Sequence, residues 1–150
     1  KLAGGAGWNP HQDAPAYPFI EAHVSCMIAV DDSNESNGCL EVVSGMHHEL
    51  IPTDERGCIP NDVAKDLPWL AVPLAAGDAL WFHSRTPHRS GDNRSASDRR
   101  AVYPTYNARR EGDLREAYYS RRREELARAS HDGRALISLI DDFRGVPVTP

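Results

Sequence analysis

The 150-residue chain is poor in several things, and each shortage narrows what it can be. It has only three cysteines, Cys26, Cys39 and Cys58, with no Cys-x-x-Cys pair. That argues against a disulfide framework and a thiolate zinc site, and points to a reducing cytosol. The arginines do not gather in one basic stripe and the formal net charge is −5, so composition gives no support to a nucleic-acid partner. No apolar run approaches a membrane span, and the opening KLAGGAG lacks the hydrophobic core of a signal peptide. An initiator Met is also missing, from which we expect the natural N-terminus to lie upstream. Internal repeats and low-complexity segments are absent. Small-molecule chemistry in one domain is the reading these shortages leave.

What is present is short apolar runs separated by eleven Gly and eleven Pro, the pattern of many short strands and turns. In EAHVSCMIAVDD, period two puts Ala22, Val24, Cys26, Ile28 and Val30 on one face and His23, Ser25, Met27 and Ala29 on the other. Asn37-Gly38 is a turn signal, so this strand and CLEVV are expected to form a hairpin. Residues 51–68 are too polar and too interrupted by proline for a core element; they are either a lid or a surface connection. WLAVPL reads as a strand, AAGD as a tight turn, ALWFH and RRAVYPTYN as further strands. Beyond these, EGDLREAYYSRRREELARAS has helical spacing with a solvated, charge-paired face, and ALISLIDDF reads as a second short helix. Counting NPHQD as a strand gives about six, followed by a helical tail, which predicts a mainly β double-stranded β-helix or jelly roll short of its eight strands. The missing ones are expected before residue 1. Residues 1–110 are then the C-terminal portion of the jelly-roll core, and 111–150 a helical tail packing on it.

In GWNPHQDAPAYPF, His11 and Asp13 are two residues apart and, on a strand, would reach one point in a barrel mouth. Two ligands do not make a site. A 2-His-1-carboxylate arrangement needs a second His from a distant strand and leaves one face of the metal open. Of the remaining histidines, His47 and His48 read as turn residues, His23 is mid-strand and His131 is in the polar tail. His83 and His88 follow GDALWF, the strand best placed to return to the mouth.

Four blocks in order, HQD followed by YPF, NGCLEVVSGMHH, AGDALWFHSRTPHRSG and RRAVYPTYN, resemble the phytanoyl-CoA dioxygenase family of iron(II)- and 2-oxoglutarate-dependent oxygenases. The likeness spans roughly residues 8 to 107 and leaves the tail unassigned. It implies His11, Asp13 and His88 as iron ligands, His88 being the one that precedes the matching Ser-Gly-Asp-Asn stretch. It also implies Arg99, eleven residues after His88, as the partner of the far carboxylate of 2-oxoglutarate, assisted by the Ser90 hydroxyl. Strand periodicity is compatible: if Arg99, Ala101 and Tyr103 face inward, the guanidinium needs an anion and its planar fork suits a carboxylate, while Arg100 faces out. Arg94 remains a competitor for that anion. Related enzymes that halogenate leave the carboxylate position vacant, so Asp13 favours hydroxylation. The implied function is a dioxygenase that couples oxidative decarboxylation of 2-oxoglutarate to hydroxylation of a small-molecule or acyl substrate by molecular oxygen. The alternative is a non-catalytic or isomerase-type cupin module. Trp8 lines the pocket or anchors its strand, Met27 flanks the cosubstrate or fills the core, and Cys26 and Cys39 pack in the core.

Overall fold

A computed structural model describes residues 1–17, 20–21 and 23–129. Ala22, His131 and the expected helix in ALISLIDDF lie outside the described residues. Among the described residues, eight short strands form two antiparallel sheets: β1 Trp8–His11, β2 His23–Ala29, β3 Leu40–Val42, β4 Leu70–Val72, β5 Ala79–His83, β6 His88–Ser90, β7 Ala101–Val102 and β8 Thr105–Asn107. The first sheet has the order β1-β6-β3-β4. In the second, β2 is central, with β5 on one side and β7 and β8 on the other. Met27 from β2, Leu40 from β3 and Phe82 from β5 meet in the core between the sheets, so the mainly β double-stranded architecture expected of the sequence is present. Among the described residues, no helix is long and apolar enough to cross a membrane.

The expected hairpin is not formed. β2 and β3 belong to different sheets, and residues 30–39 carry the chain from one to the other. Asn37-Gly38 serves this crossover by closing a 3-10 turn, Glu35–Asn37. The Asn34 side chain accepts from the Ser36 and Asn37 N–H groups, and Gly38 ends the turn at φ +70°. AAGD does form a tight turn, with Asp78 N–H donating to Ala75 O at 3.0 Å, but it too joins strands of different sheets. Period two in β2 holds except at Cys26, yet the buried face is His23, Ser25, Met27 and Ala29; on the other face Val24 and Ile28, and Val30 just beyond the strand, are exposed and Cys26 is buried. Residues 51–68 also depart from expectation. They bury Cys58, Ile59 and Ala64, contain the short helix α1, Asn61–Ala64, and pin to β1 through Ile59 N–H donating to Pro10 O at 2.7 Å. None of them lines the main cavity, so this segment braces the outside of the site strand rather than covering the site. All three cysteines are free and buried.

RRAVYPTYN forms two strands with one continuous register on β2: Ala101 opposite Ala29, Val102 opposite Ile28, and Thr105 opposite Ser25. Pro104 is tolerated because its carbonyl still accepts from Cys26 N–H at 2.9 Å. The tail begins with α2, Arg115–Ala129, whose Tyr118 ring stacks on Tyr17 at 4.9 Å and 11°.

Candidate metal and cosubstrate site

β1 ends at His11, and Asp13 follows in a bend whose αR backbone (φ −71°, ψ −28°) starts a 3-10 turn at Ala14. The two side chains therefore converge because the chain turns after His11, not because both sit on one strand. Gln12 between them is fully buried and points elsewhere. Its amide donates to Glu49 O and Arg85 O and its carbonyl accepts from Ile51 N–H, tying the bend to two loops. Removing that amide would strand buried polar groups at about 1–3 kcal/mol each. β6 pairs antiparallel with β1, His88 directly opposite His11, which brings the second imidazole alongside the first with ring centroids 4.2 Å apart.

Both imidazoles are held the same way. His11 Nδ1 lies 2.7 Å from Asn9 O and His88 Nδ1 3.0 Å from Thr86 O, a contact that places the ring hydrogen on Nδ1 and leaves the Nε2 lone pair pointing inward. The Nε2 atoms are 3.7 and 3.6 Å from Asp13 Oδ1. Asp13 Oδ2 accepts from Ser25 Oγ at 3.1 Å, so one carboxylate oxygen is anchored and the other faces the imidazoles. Burial, then the neighbouring His88, pushes the His11 imidazole down to about 4; it is neutral near pH 7, as a metal ligand must be. Ligand atoms of the three residues lie within 4.8 Å of one another. This donor set, two imidazole nitrogens and one carboxylate oxygen, fits a divalent transition metal with positions to spare.

The site opens into a cavity of about 560 Å³ lined by His11, Asp13 and His88 and also by Ser90 and Arg99. Arg99 is 5% exposed. Its Nε–H donates to Asn37 O at 3.2 Å and its guanidinium bonds the Tyr103 hydroxyl; among the described residues no carboxylate is paired with it. A buried guanidinium without a counter-charge is costly, and a carboxylate entering from the cavity would complete it. Ser90 is poised similarly: its Oγ accepts from Trp8 N–H at 3.3 Å and from Lys1 Nζ at 2.9 Å. With both acceptor positions used, its own O–H is left to donate. Arg94 is exposed and does not line this cavity, and Arg100 faces out to pair with Asp31.

Of the other candidates, Trp8 lines the cavity, whereas Met27 is fully buried in the core. His83 stands apart beside His47, ring centroids 5.6 Å apart, and accepts from Arg85 N–H. His23 is buried next to Tyr17 at 4.3 Å. Lys1, Ser25, Tyr17 and Arg122 reach the cavity without having been singled out by the sequence. Lys1 does so because it and Arg99 are a hydrogen-bonded backbone pair, Arg99 N–H donating to Lys1 O at 2.8 Å and Lys1 N to Arg99 O at 2.6 Å. The buried Asn93 amide secures this edge by donating to Leu2 O and Ser97 O.

Comparison with known proteins agrees with this geometry. The chain is 45% identical over 150 residues to a methylphosphonate hydroxylase of Gimesia maris, covering 98% of this chain and 58% of that one. It is 38% identical over 129 residues to a 2-aminoethylphosphonate dioxygenase of an uncultured bacterium (HF130_AEPn_1), covering 84% and 49%. The chain thus spans about half the length of these curated relatives. Among solved structures, EvdO2 from Micromonospora carbonacea var. aurantiaca, complexed with 2-oxoglutarate, matches with a TM-score of 0.57 and 28% identity over 71% of this chain and 49% of that one. The sequence profile described as Phytanoyl-CoA dioxygenase (PhyH) matches residues 1–101, about two thirds of the chain, and on that match the chain belongs to the phytanoyl-CoA dioxygenase family.

Proposed function

We propose that the protein of which this chain is part is an iron(II)- and 2-oxoglutarate-dependent hydroxylase of a small organophosphonate. The observation that carries the reading is one cavity holding three convergent metal donors and a buried arginine that, among the described residues, has no carboxylate partner. The names of the two relatives described above support the substrate class. In this reading His11, Asp13 and His88 hold the metal, and Arg99 with Ser90 binds the far carboxylate of the cosubstrate. Iron(II) with 2-oxoglutarate and molecular oxygen supplies the chemistry, decarboxylation of the cosubstrate coupled to hydroxylation. The chain's own residues do the rest. The Asn9 and Thr86 carbonyls fix the tautomer of each imidazole, and Ser25 holds the carboxylate; such supporting bonds are worth on the order of 10–100-fold in metal affinity. Arg99, joined by Tyr103 and backed by Lys1, fixes the direction in which a dicarboxylate lies. Residues 1–110 act as the C-terminal portion of a jelly-roll oxygenase core and 111–150 as a helical tail packing on it. The three free cysteines support a reducing cytosol, and the acidic composition supports work without nucleic acid.

The test is anaerobic visible absorption of the full-length protein titrated with iron(II), then 2-oxoglutarate. We expect a new band that needs both additions and is lost in Asp13→Ala. A folded wild type that gives no band would replace this reading with a binding module or an enzyme of another metal.

A further inference from the structure

The cavity has cationic groups from two separate parts of the chain, and only one is accounted for by the cosubstrate. Lys1 and Arg99 are joined by a pair of backbone hydrogen bonds. Arg122 comes from α2, where it and Tyr118, four residues apart and so on one face, are the two residues of that helix that line the cavity. Its neighbours in sequence, Arg121 and Arg123, are exposed, while Arg122 is half-buried. The run SRRREELARAS is therefore not only a solvated face: one of its three consecutive arginines is turned inward.

Hydroxyl groups line the same cavity as Arg122. The Tyr118 and Tyr17 rings are stacked and their oxygens are 3.4 Å apart, and Tyr17 also bonds the Thr105 side chain. Burial pushes the Tyr17 phenol up, so it remains a donor. Thr105 lies opposite Ser25, the residue that holds Asp13, which places this group beside the metal donors. Arg99 enters the cavity six residues before Thr105 on the β7–β8 line, whereas Arg122 enters from α2, so the two guanidiniums reach it from different elements.

We infer that Arg122, with the Tyr17 and Tyr118 hydroxyls, is the subsite that takes the phosphonate head of the substrate and orients its carbon chain toward the metal donors; this rests on the oxygenase reading above. A guanidinium fork matches two oxygens of a phosphonate, and the Tyr17 hydroxyl, which accepts from Tyr118, donates to the third. Arg122 is thus a specificity-determining residue that selects anionic over neutral substrates, and Tyr17 reinforces it.

The experiment uses the full-length protein with iron(II) and 2-oxoglutarate, and methylphosphonate as probe. KM for the probe is taken from 2-oxoglutarate consumption, and its Kd from anaerobic calorimetry. Arg122→Gln should raise both KM and Kd for methylphosphonate at least about tenfold, while the visible band and KM for 2-oxoglutarate stay as in the wild type. Arg122→Lys should recover part of the affinity, and Tyr17→Phe, which removes one oxygen, should weaken the probe a few-fold. Unchanged probe affinity in Arg122→Gln would overturn the inference, as would a wild type that forms the band but neither binds nor turns over methylphosphonate. Either result leaves the oxygenase reading intact; absence of the band in the wild type removes both.

Discussion

At the residue scale, the most consequential pair is Lys1 and Arg99, two cations joined by backbone hydrogen bonds and facing one cavity. Burial, and then the Arg99 charge, lowers the Lys1 ammonium to about 8. Below that pH both groups are charged and favour a dicarboxylate; above it only Arg99 is. We therefore expect kcat/KM for 2-oxoglutarate to fall several-fold as pH rises through about 8. In Lys1→Met it should start lower and lack that limb, and initial rates between pH 6.5 and 9.5 would show both. A profile that keeps the same limb in Lys1→Met would assign it to another group. The residues visible in the sequence and those hidden from it differ for a physical reason. His11, Asp13, Ser90, His88 and Arg99 sit in compact blocks whose spacing can be read along the chain, and the fold gathers them at one cavity. Lys1, Ser25 and Arg122 reach it through backbone pairs and helix packing between segments up to about a hundred residues apart, for which no local pattern exists.

At the element scale, the turns decide how the two sheets are connected. Gly38 closes the crossover from β2 to β3 in the left-handed region, and a Cβ there would run into the Gly91 carbonyl, in the loop that leaves β6 just after Ser90. Gly45 is also left-handed, at φ +81°, but has nothing within 4 Å. Both Ala substitutions carry the backbone cost of a positive φ, about 1 kcal/mol. Gly38→Ala adds a clash with backbone that cannot rotate away. Its Tm should fall by several degrees more than that of Gly45→Ala, the shift expected from a further 1–2 kcal/mol or so in a domain of this size; equal Tm values would mean the crossover yields easily. The same segment shows where sequence reading runs out. Period two and Asn-Gly correctly marked the alternation and the turn, but a turn signal reports only on local bending. Sheet membership is set by pairing with β5, β7 and β8 on one side and β4 and β6 on the other. Likewise, alternation in β2 gave two faces without saying that the more polar one, bearing Ser25 and His23, is turned toward the site.

At the scale of the whole molecule, that inversion leaves an apolar surface. Val24 and Ile28 of β2, Trp81 of β5, Val102 of β7 and Tyr106 of β8 share the outer face of the second sheet. Trp81 is 60% exposed and stands 5.6 Å from Tyr106. Cross-strand pairs here match Ile28 with Val102 and Val24 with Tyr106, so the patch is contiguous, the kind of surface that drives association. Expressed as these 150 residues, the protein should self-associate, with a weight-average mass in sedimentation that rises with concentration above the 16.6 kDa of one chain. Trp81→Lys introduces a charge at the centre of the patch without touching the cavity lining. It should shift the distribution toward monomer while leaving metal binding by His11, Asp13 and His88 unchanged. Persistent association in Trp81→Lys would locate the contact elsewhere. A loss of metal binding would mean that this outer face, and not only the core between the sheets, holds the site strands in register.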